Sequence, residues 1–481
     1  MKLSRVLTPL VLILLLSAAS SYAQLSLGGT PHSFSQNLKS NTPRIVMPSV
    51  NVAELLAEDE AEEKLGVPMR FGYPFDVEYN LLNSGVWETL PDGWRVWRLE
   101  IEAPGAKSIN LVYDNFWLPE GARFYLYSED KEMVIGAFTS QNNKEHREFA
   151  TAPVKGEVTI LELNVPPNVS HPGEISISRI VHDYRDILAM GYEKDFGSSG
   201  SCNNNVNCPE GDDWQDQKRS VAMVILAGGS RWCSGAMVNN VRQDLTPYFL
   251  TADHCLGSSN TWIIMFNYES PNCSNINGPT WMTLQGTTLK ASNSFSDVGL
   301  VELNESPPDS FNLYYSGWTA VDTNSYDSVV AIHHPAGDIK KISFDYDDVT
   351  VTSYLSNPIP GNGSHWRVTQ WEDGTTEGGS SGSPIYDRNK RIIGQLHGGY
   401  ASCASITSDW YGRFNISWDN GSTASTRLMD WLDPDNTGTL FLDGRDAAGI
   451  SITHTPLEDT QDSLNAYDVT AVIQSNVPVY T

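Results

Sequence analysis

All six cysteines of this 481-residue chain, Cys202, Cys208, Cys233, Cys255, Cys273 and Cys403, lie in its second half, and none forms a C-x-x-C pair. An even set without metal-ligand spacing argues for three disulfides rather than a zinc site, and from the residues alone any of fifteen pairings is open. The first two hundred residues must therefore fold without covalent staples, while the remainder is cross-linked. Two units with different requirements share one chain.

Disulfides need an oxidising compartment, and the N-terminus supplies a route to one. Lys2 and Arg5 precede an apolar run from Val6 to Ala19, and Ser21-Tyr22-Ala23 forms a small-x-small site. That pattern reads as a signal peptide over residues 1–23, cleaved before Gln24. The run is shorter than the roughly 20 residues a membrane span needs. The expected mature protein is secreted, extracellular and free of the membrane.

The net charge of −27 leaves no basic field for a phosphate backbone, which excludes a nucleic-acid partner. Fourteen Trp, twenty Tyr and fifteen Phe within a 40% hydrophobic chain are ample for packed cores. Asn51 to Leu65 has helical composition, with Leu55, Leu56 and Leu65 on one side and Gly66 as a stop. The acidic run from Glu58 to Glu63 is expected to face solvent. From Trp94 the period becomes two: Trp97, Leu99 and Ile101 alternate with charged residues, as do Leu161, Leu163 and Val165 with polar ones. With β-rich runs at 109–113 and 123–127 between Pro-Gly turns, residues 24–194 read as a β-rich, sandwich-like pro-region.

Gly197-Ser198-Ser199-Gly200-Ser201 is a flexible linker in composition. Beyond it, strands are expected at 221–226, 262–267, 298–303, 329–333 and 392–396. A helix carrying Leu428, Trp431 and Leu432 is expected to end at Pro434. Residues 445–481 are polar and strand-poor, and read as a C-terminal tail.

Three segments carry chemistry. They are Thr251-Ala252-Asp253-His254-Cys255, Ser296-Asp297-Val298-Gly299-Leu300 and Gly378-Gly379-Ser380-Ser381-Gly382-Ser383-Pro384. A serine hydroxyl needs a base to become a nucleophile, histidine titrates in the right range, and a buried carboxylate orients the ring. The glycine-rich turn around Ser381 suits backbone donors for an oxyanion, with the amides of Gly379 and Ser381 the candidates. Other groups read as structural. His333-His334 lacks partners for a metal site, Trp366 and Trp371 read as packing residues, and the Asp433 to Gly438 loop lacks the closing glutamate of a calcium loop. No cofactor or metal is expected.

The motifs LTADHC, SDVGLVELN, AIHHP, TEGGSSGSPIY, GQLHGG, SDWYGR and WLDP together resemble the secreted bacterial lysyl endopeptidases of the chymotrypsin-like serine protease family. The likeness spans about residues 201–444 and, more loosely, the pro-region before it. It implies an all-β, two-barrel protease domain at 195–444 with a short C-terminal helix. It makes His254 the base, Asp297 its orienting acid and Ser381 the nucleophile. It pairs Cys202 with Cys403, Cys208 with Cys273, and Cys233 with Cys255. For a lysine side chain it implies Asp409 and His397. The chain departs from the family in three places. Asp253 replaces a small residue before the base, the loop from Cys403 to Asp409 is shorter, and Ser353 to Pro358 holds no tryptophan to stack on His397.

The expected function is thus a secreted serine endopeptidase acting on protein and peptide substrates after lysine. It is made as a precursor that cuts itself between Lys194 and Asp195, with its own pro-region as a partner. The alternatives are a trypsin-like enzyme accepting lysine and arginine, or an inactive protease-like binding protein.

Overall fold

Short strands with period-two burial build almost the whole chain, in two units. A computed structural model describes residues 28–36, 38–63, 68–186, 199–227, 231–447, 450–454 and 471–475. The signal segment, Leu65, Gly66, Lys194, Asp195 and the first two linker residues lie outside these. Among the described residues no helix is long and apolar enough to cross a membrane.

The N-terminal unit is a sandwich of a six-stranded and a five-stranded sheet. In strand Arg95–Glu102, Trp97, Leu99 and Ile101 are fully buried. They meet Ile109, Leu111 and Tyr113 of strand Ser108–Trp117 from the opposing sheet, in one core with Phe116, Phe124 and Phe149. Alternation puts one face of each sheet inward, and pairing the two faces removes both from water.

Helix Val52–Glu63 forms where expected, but its acidic run is not simply a solvated face. Leu55 is buried and Leu56 exposed. Asp59 is buried and takes Arg70 at 2.8 Å, Arg185 at 2.6 Å and the Tyr184 hydroxyl at 2.7 Å. A buried carboxylate is tolerable only when so paired, and one of those cations, Arg185, lies far away in sequence.

The second unit consists of two half-barrels, one sheet of seven of its own strands, which Met69–Arg70 of the N-terminal unit extends to eight, and one of eleven. Strands Val221–Leu226, Tyr248–Ala252 and Val298–Leu303 belong to the first, and Val329–His333, Pro384–Tyr386, Arg391–Gly399 and Asp409–Arg413 to the second. Val221, Leu250 and Leu300 of the first share a core with Ile332, Tyr386 and Ile392 of the second. Phe414, Trp418, Leu428 and Leu432, from short C-terminal helices, close that core. Residues beyond Gly444 are not strand-poor: Arg445–Asp446 pairs with Tyr314–Tyr315, and Ile450–His454 pairs with Ala471–Ser475.

The two units are joined by sheet addition. Met69–Arg70 pairs antiparallel with Arg231–Trp232 at the edge of the first half-barrel. Phe71 stacks on Trp232 at 5.5 Å, and Phe71, Val112, Ala150 and Val181 cover the outward Met223, Ile225, Ile263 and Met265. Glu62 pairs with Arg231 at 2.7 Å, and Lys144 pairs with Glu305.

Disulfides join Cys202 to Cys403, Cys208 to Cys273 and Cys233 to Cys255, with no free cysteine. The Cys202–Cys403 bridge spans 201 residues, a closure worth about 5 kcal/mol in the loop-entropy picture. The linker beside it is less free than its composition suggests. Ser199 is buried against Asp338, and the Gly200 amide donates to Glu377 at 2.8 Å. Thiol titration of the denatured, unreduced chain should find no reactive thiol, and two or more would contradict this pairing.

Candidate active site

His254 sits on a single helical turn, Asp253–Cys255, at the end of strand Tyr248–Ala252, and the Cys233–Cys255 bridge pins that turn to the neighbouring strand. Asp297 occupies the tight turn into strand Val298–Leu303 with φ of 54°, left-handed backbone that aspartate tolerates better than most residues. Asp297 Oδ1 accepts the His254 backbone N–H at 3.0 Å, and Oδ2 lies 2.8 Å from His254 Nδ1. The carboxylate is buried, so its hydrogen bond to the ring is sheltered from competing water. Gln395 of the second half-barrel donates to the Ser296 carbonyl at 2.8 Å and fixes this turn from the far side.

Ser381 lies in the glycine turn that faces these residues across the junction. Its carbonyl accepts the Ser234 N–H at 2.7 Å, tying the second half-barrel's turn to the first half-barrel's strand. Gly382, at φ of 80°, has no room for a side chain: a Cβ would lie 2.2 Å from Thr251 Oγ1 and 2.5 Å from the Ser234 carbonyl. Gly379, at φ of 93°, would meet Trp232 at 2.7 Å. The turn can therefore press against strands Arg231–Met237 and Tyr248–Ala252 only because these positions are glycine. His254 Nε2 is buried and has no hydrogen-bond partner among the described residues.

His333 and His334 lie directly beneath. His333 Nδ1 is 2.8 Å from Ser380 Oγ, and His334 Nδ1 is 2.8 Å from the Asp338 carbonyl. Burial pushes both down to about 3, so both stay neutral, His333 as a strut of the turn and His334 as a tie within its own loop. No sequence pattern pointed to the Ser380 contact. Asp253 is half-buried, and burial with Asp297 nearby raises its carboxyl above the usual range.

Asp409 lies at the start of its strand and is only 1% exposed. Its Oδ2 accepts Trp371 Nε1 at 2.8 Å and Thr376 Oγ1 at 2.5 Å, so Trp371 does more than pack. Burial pushes the carboxyl up to about 6, with the bonds from Thr376, Trp371 and the Ala401 backbone amide pulling the other way. The other nearby carboxylates are engaged: Asp373 by Asn204 at 2.6 Å, and Glu377 by Asn203 at 2.9 Å and by Gly200.

His397 lies beside His254, ring centroids 5.6 Å apart. Its other face is covered by Tyr354, stacked at 3.5 Å and parallel within 1°. The segment without a tryptophan thus does supply an aromatic ring to this histidine. Tyr354, the aromatic residue in Ser353 to Pro358, is the signal the sequence carries for it. The Asp433 carboxylate, in the loop similar to a calcium loop, accepts the amides of Thr437 and Gly438 at 2.9 and 3.0 Å.

An imidazole held by a buried carboxylate, with its outer nitrogen unpartnered and a serine turn beside it, can take a proton from a hydroxyl nucleophile. The family described as "Lysyl endopeptidase, C-terminal domain" matches residues 196–412, and "Lysyl endopeptidase N-terminal domain" matches residues 46–182. A lysyl endopeptidase of Pseudomonas aeruginosa is 27% identical over 379 residues, covering 73% of this chain and 79% of that protein. Two solved structures are similar over a smaller part. The active form of the Rv3671c protease of M. tuberculosis is 14% identical, covering 42% of this chain and 79% of that one at a TM-score of 0.29. A serine endoprotease of Yersinia pestis is 14% identical, covering 42% and 62%, also at 0.29.

Proposed function

The chain belongs to the lysyl endopeptidase family and is a serine endopeptidase, and on that footing we propose that it is exported as a precursor and cleaves proteins after lysine. The observation that carries the catalytic part is the pair of contacts between His254 and Asp297 at 2.8 and 3.0 Å, beside the Ser381 turn. In this reading His254 Nε2 takes the Ser381 hydroxyl proton as Oγ attacks the scissile carbonyl, and Asp297 stabilises the imidazolium through Nδ1. The amides of Gly379 and Ser381 receive the developing oxyanion. His254 then returns the proton to the leaving amine, and water repeats the sequence on the acyl-enzyme.

Lysine selectivity is assigned to Asp409, the buried carboxylate whose bonds from Trp371, Thr376 and the Ala401 amide leave about one of its four lone-pair positions for an incoming ammonium. His397, held between His254 and Tyr354, narrows the approach for the broader guanidinium. Disulfides, the signal-like N-terminus and the family together support export. The N-terminal sandwich covers the outer apolar face of the first half-barrel, which supports reading it as a pro-region that partners the domain it precedes.

A fluorophosphonate probe tests the catalytic reading against that of an inactive binding protein. It should label the processed wild type and spare Ser381→Ala; no labelling of the wild type favours the binder. Processing is expected between Lys194 and Asp195, the nearest basic site upstream of Cys202. N-terminal sequencing of purified active enzyme should begin at Asp195, and the isolated Ser381→Ala precursor should persist. A normally processed Ser381→Ala chain would contradict self-cleavage.

A further inference from the structure

Behind Asp297 a hydrogen-bonded relay runs from the active site to the surface. His397 Nε2 stands 3.8 Å from Asp297 Oδ2, and His397 Nδ1 lies 2.9 Å from His365 Nε2. His365 Nδ1 lies 2.6 Å from Ser364 Oγ, which lies 2.7 Å from Asn362 Oδ1. That same Asn362 oxygen takes the backbone N–H of Ser364 at 3.1 Å.

Each proton in this relay can be placed from its outer end. The backbone N–H of Ser364 can only donate, so the Asn362 atom facing it is the amide oxygen. That oxygen carries no proton, so the Ser364 hydroxyl must donate to it. A hydroxyl has one proton, so Ser364 Oγ must accept from His365 Nδ1–H. A neutral imidazole carries its proton on one nitrogen, which leaves His365 Nε2 as an acceptor for His397 Nδ1–H. His397 then turns a bare Nε2 toward Asp297.

We infer that His365 is a positioning residue: the relay from Asn362 through Ser364 and His365 locks His397 as its Nδ1–H tautomer. Asp297 Oδ2 is thereby reserved for His254. With the proton on Nε2 instead, His397 would compete for the carboxylate that must stabilise the His254 imidazolium, and the base would weaken. Tyr354 on the open face of His397 keeps the ring from swinging away, so proton placement is the remaining freedom. The groups facing His397 are His254, Asp297, His365 and Tyr354, with Asp253 next to Asp297 on the first half-barrel. Burial pushes His365 and His397 each down to about 4, so both are neutral near pH 7, as the assignment requires.

The inference rests on the catalytic reading for its meaning but not for its test. Full-length Ser381→Ala protein with ¹⁵N-labelled histidine is observed by two-bond proton–nitrogen correlation at pH 7. His397 and His365 should both carry their proton on Nδ1, and in His365→Phe the His397 proton should move to Nε2. An Nε2-protonated His397 in the parent overturns the inference even if the His365→Phe chain fails to fold. In the active chain, His365→Phe should lower kcat at least about tenfold, as loss of an orienting partner does elsewhere, with KM little changed and the acid limb of the rate profile moved to lower pH. Asn362→Asp, which keeps the accepting oxygen, should retain wild-type kcat. A kcat loss with an unmoved tautomer and an unmoved acid limb also overturns it. An inactive wild type would instead defeat the catalytic reading and leave the tautomer result standing.

Discussion

Replacing Ser381 with alanine should leave a folded chain whose turnover on peptides is lower by about a millionfold, the usual loss when a triad nucleophile is removed. The backbone contact that anchors the turn, the Ser381 carbonyl on the Ser234 amide, does not involve the hydroxyl and survives the change. Removing one exposed-side oxygen leaves no buried cavity, so the melting temperature should stay close to that of the unprocessed wild type. What persists is catalysis by positioning and the backbone donors alone. Retention of even a tenth of wild-type activity would remove Ser381 from the mechanism.

Asp409→Asn should have the second largest effect. Asparagine is nearly isosteric and can still accept from Trp371 and Thr376, so the pocket should keep its shape while losing its charge. Truncating one partner of a desolvated charge pair typically costs about 2–5 kcal/mol, a loss of tens to thousands of times in kcat/KM for lysine substrates. Labelling of Ser381 by a small uncharged fluorophosphonate should be unaffected. The pH dependence has a definite sign. Burial raises the Asp409 carboxyl to about 6, and a lysine ammonium binds only the ionised form. Affinity for a lysine-ended peptide should therefore be full above pH 6 and fall as pH drops through it. Binding to the Ser381→Ala protein isolates this from the chemistry of His254. Unchanged lysine cleavage by Asp409→Asn would move the determinant elsewhere, although Asp373 and Glu377 already hold other partners.

Much of this site was legible because its parts are short contiguous segments. His254 beside Cys255, Asp297 at a strand start and Ser381 among glycines each carry their own local signature, and five of the surrounding strands were legible, though not Arg231–Met237, Tyr248–Ala252, Pro384–Tyr386 or Asp409–Arg413. What stayed hidden depends on partners distant in sequence. Asp59 looks like part of a solvated acidic run until Arg70, from strand Met69–Arg70, and Arg185, just past strand Glu174–Asp183, close on it. Ser199 and Gly200 look like linker until Asp338 and Glu377 take them up. Tyr354 stands where the resemblance implies a tryptophan, and a lone tyrosine in a loop carries no local sign of the ring it covers. His365 offered no local signal at all, since its role depends on the neighbour that strand pairing gives it. Residues 450–454 and 471–475 pair across a long gap, which a reading of local composition cannot see.

The most direct test of the central claim is a cleavage profile of the purified, processed protein on a diverse peptide library. Hydrolysis is expected after lysine, with arginine sites cut far more slowly and both abolished in Ser381→Ala. Equal cleavage after lysine and arginine would contradict the role given to His397. Cleavage without regard to a basic residue, or none at all, would contradict the assignment of Asp409 and of the catalytic site with it.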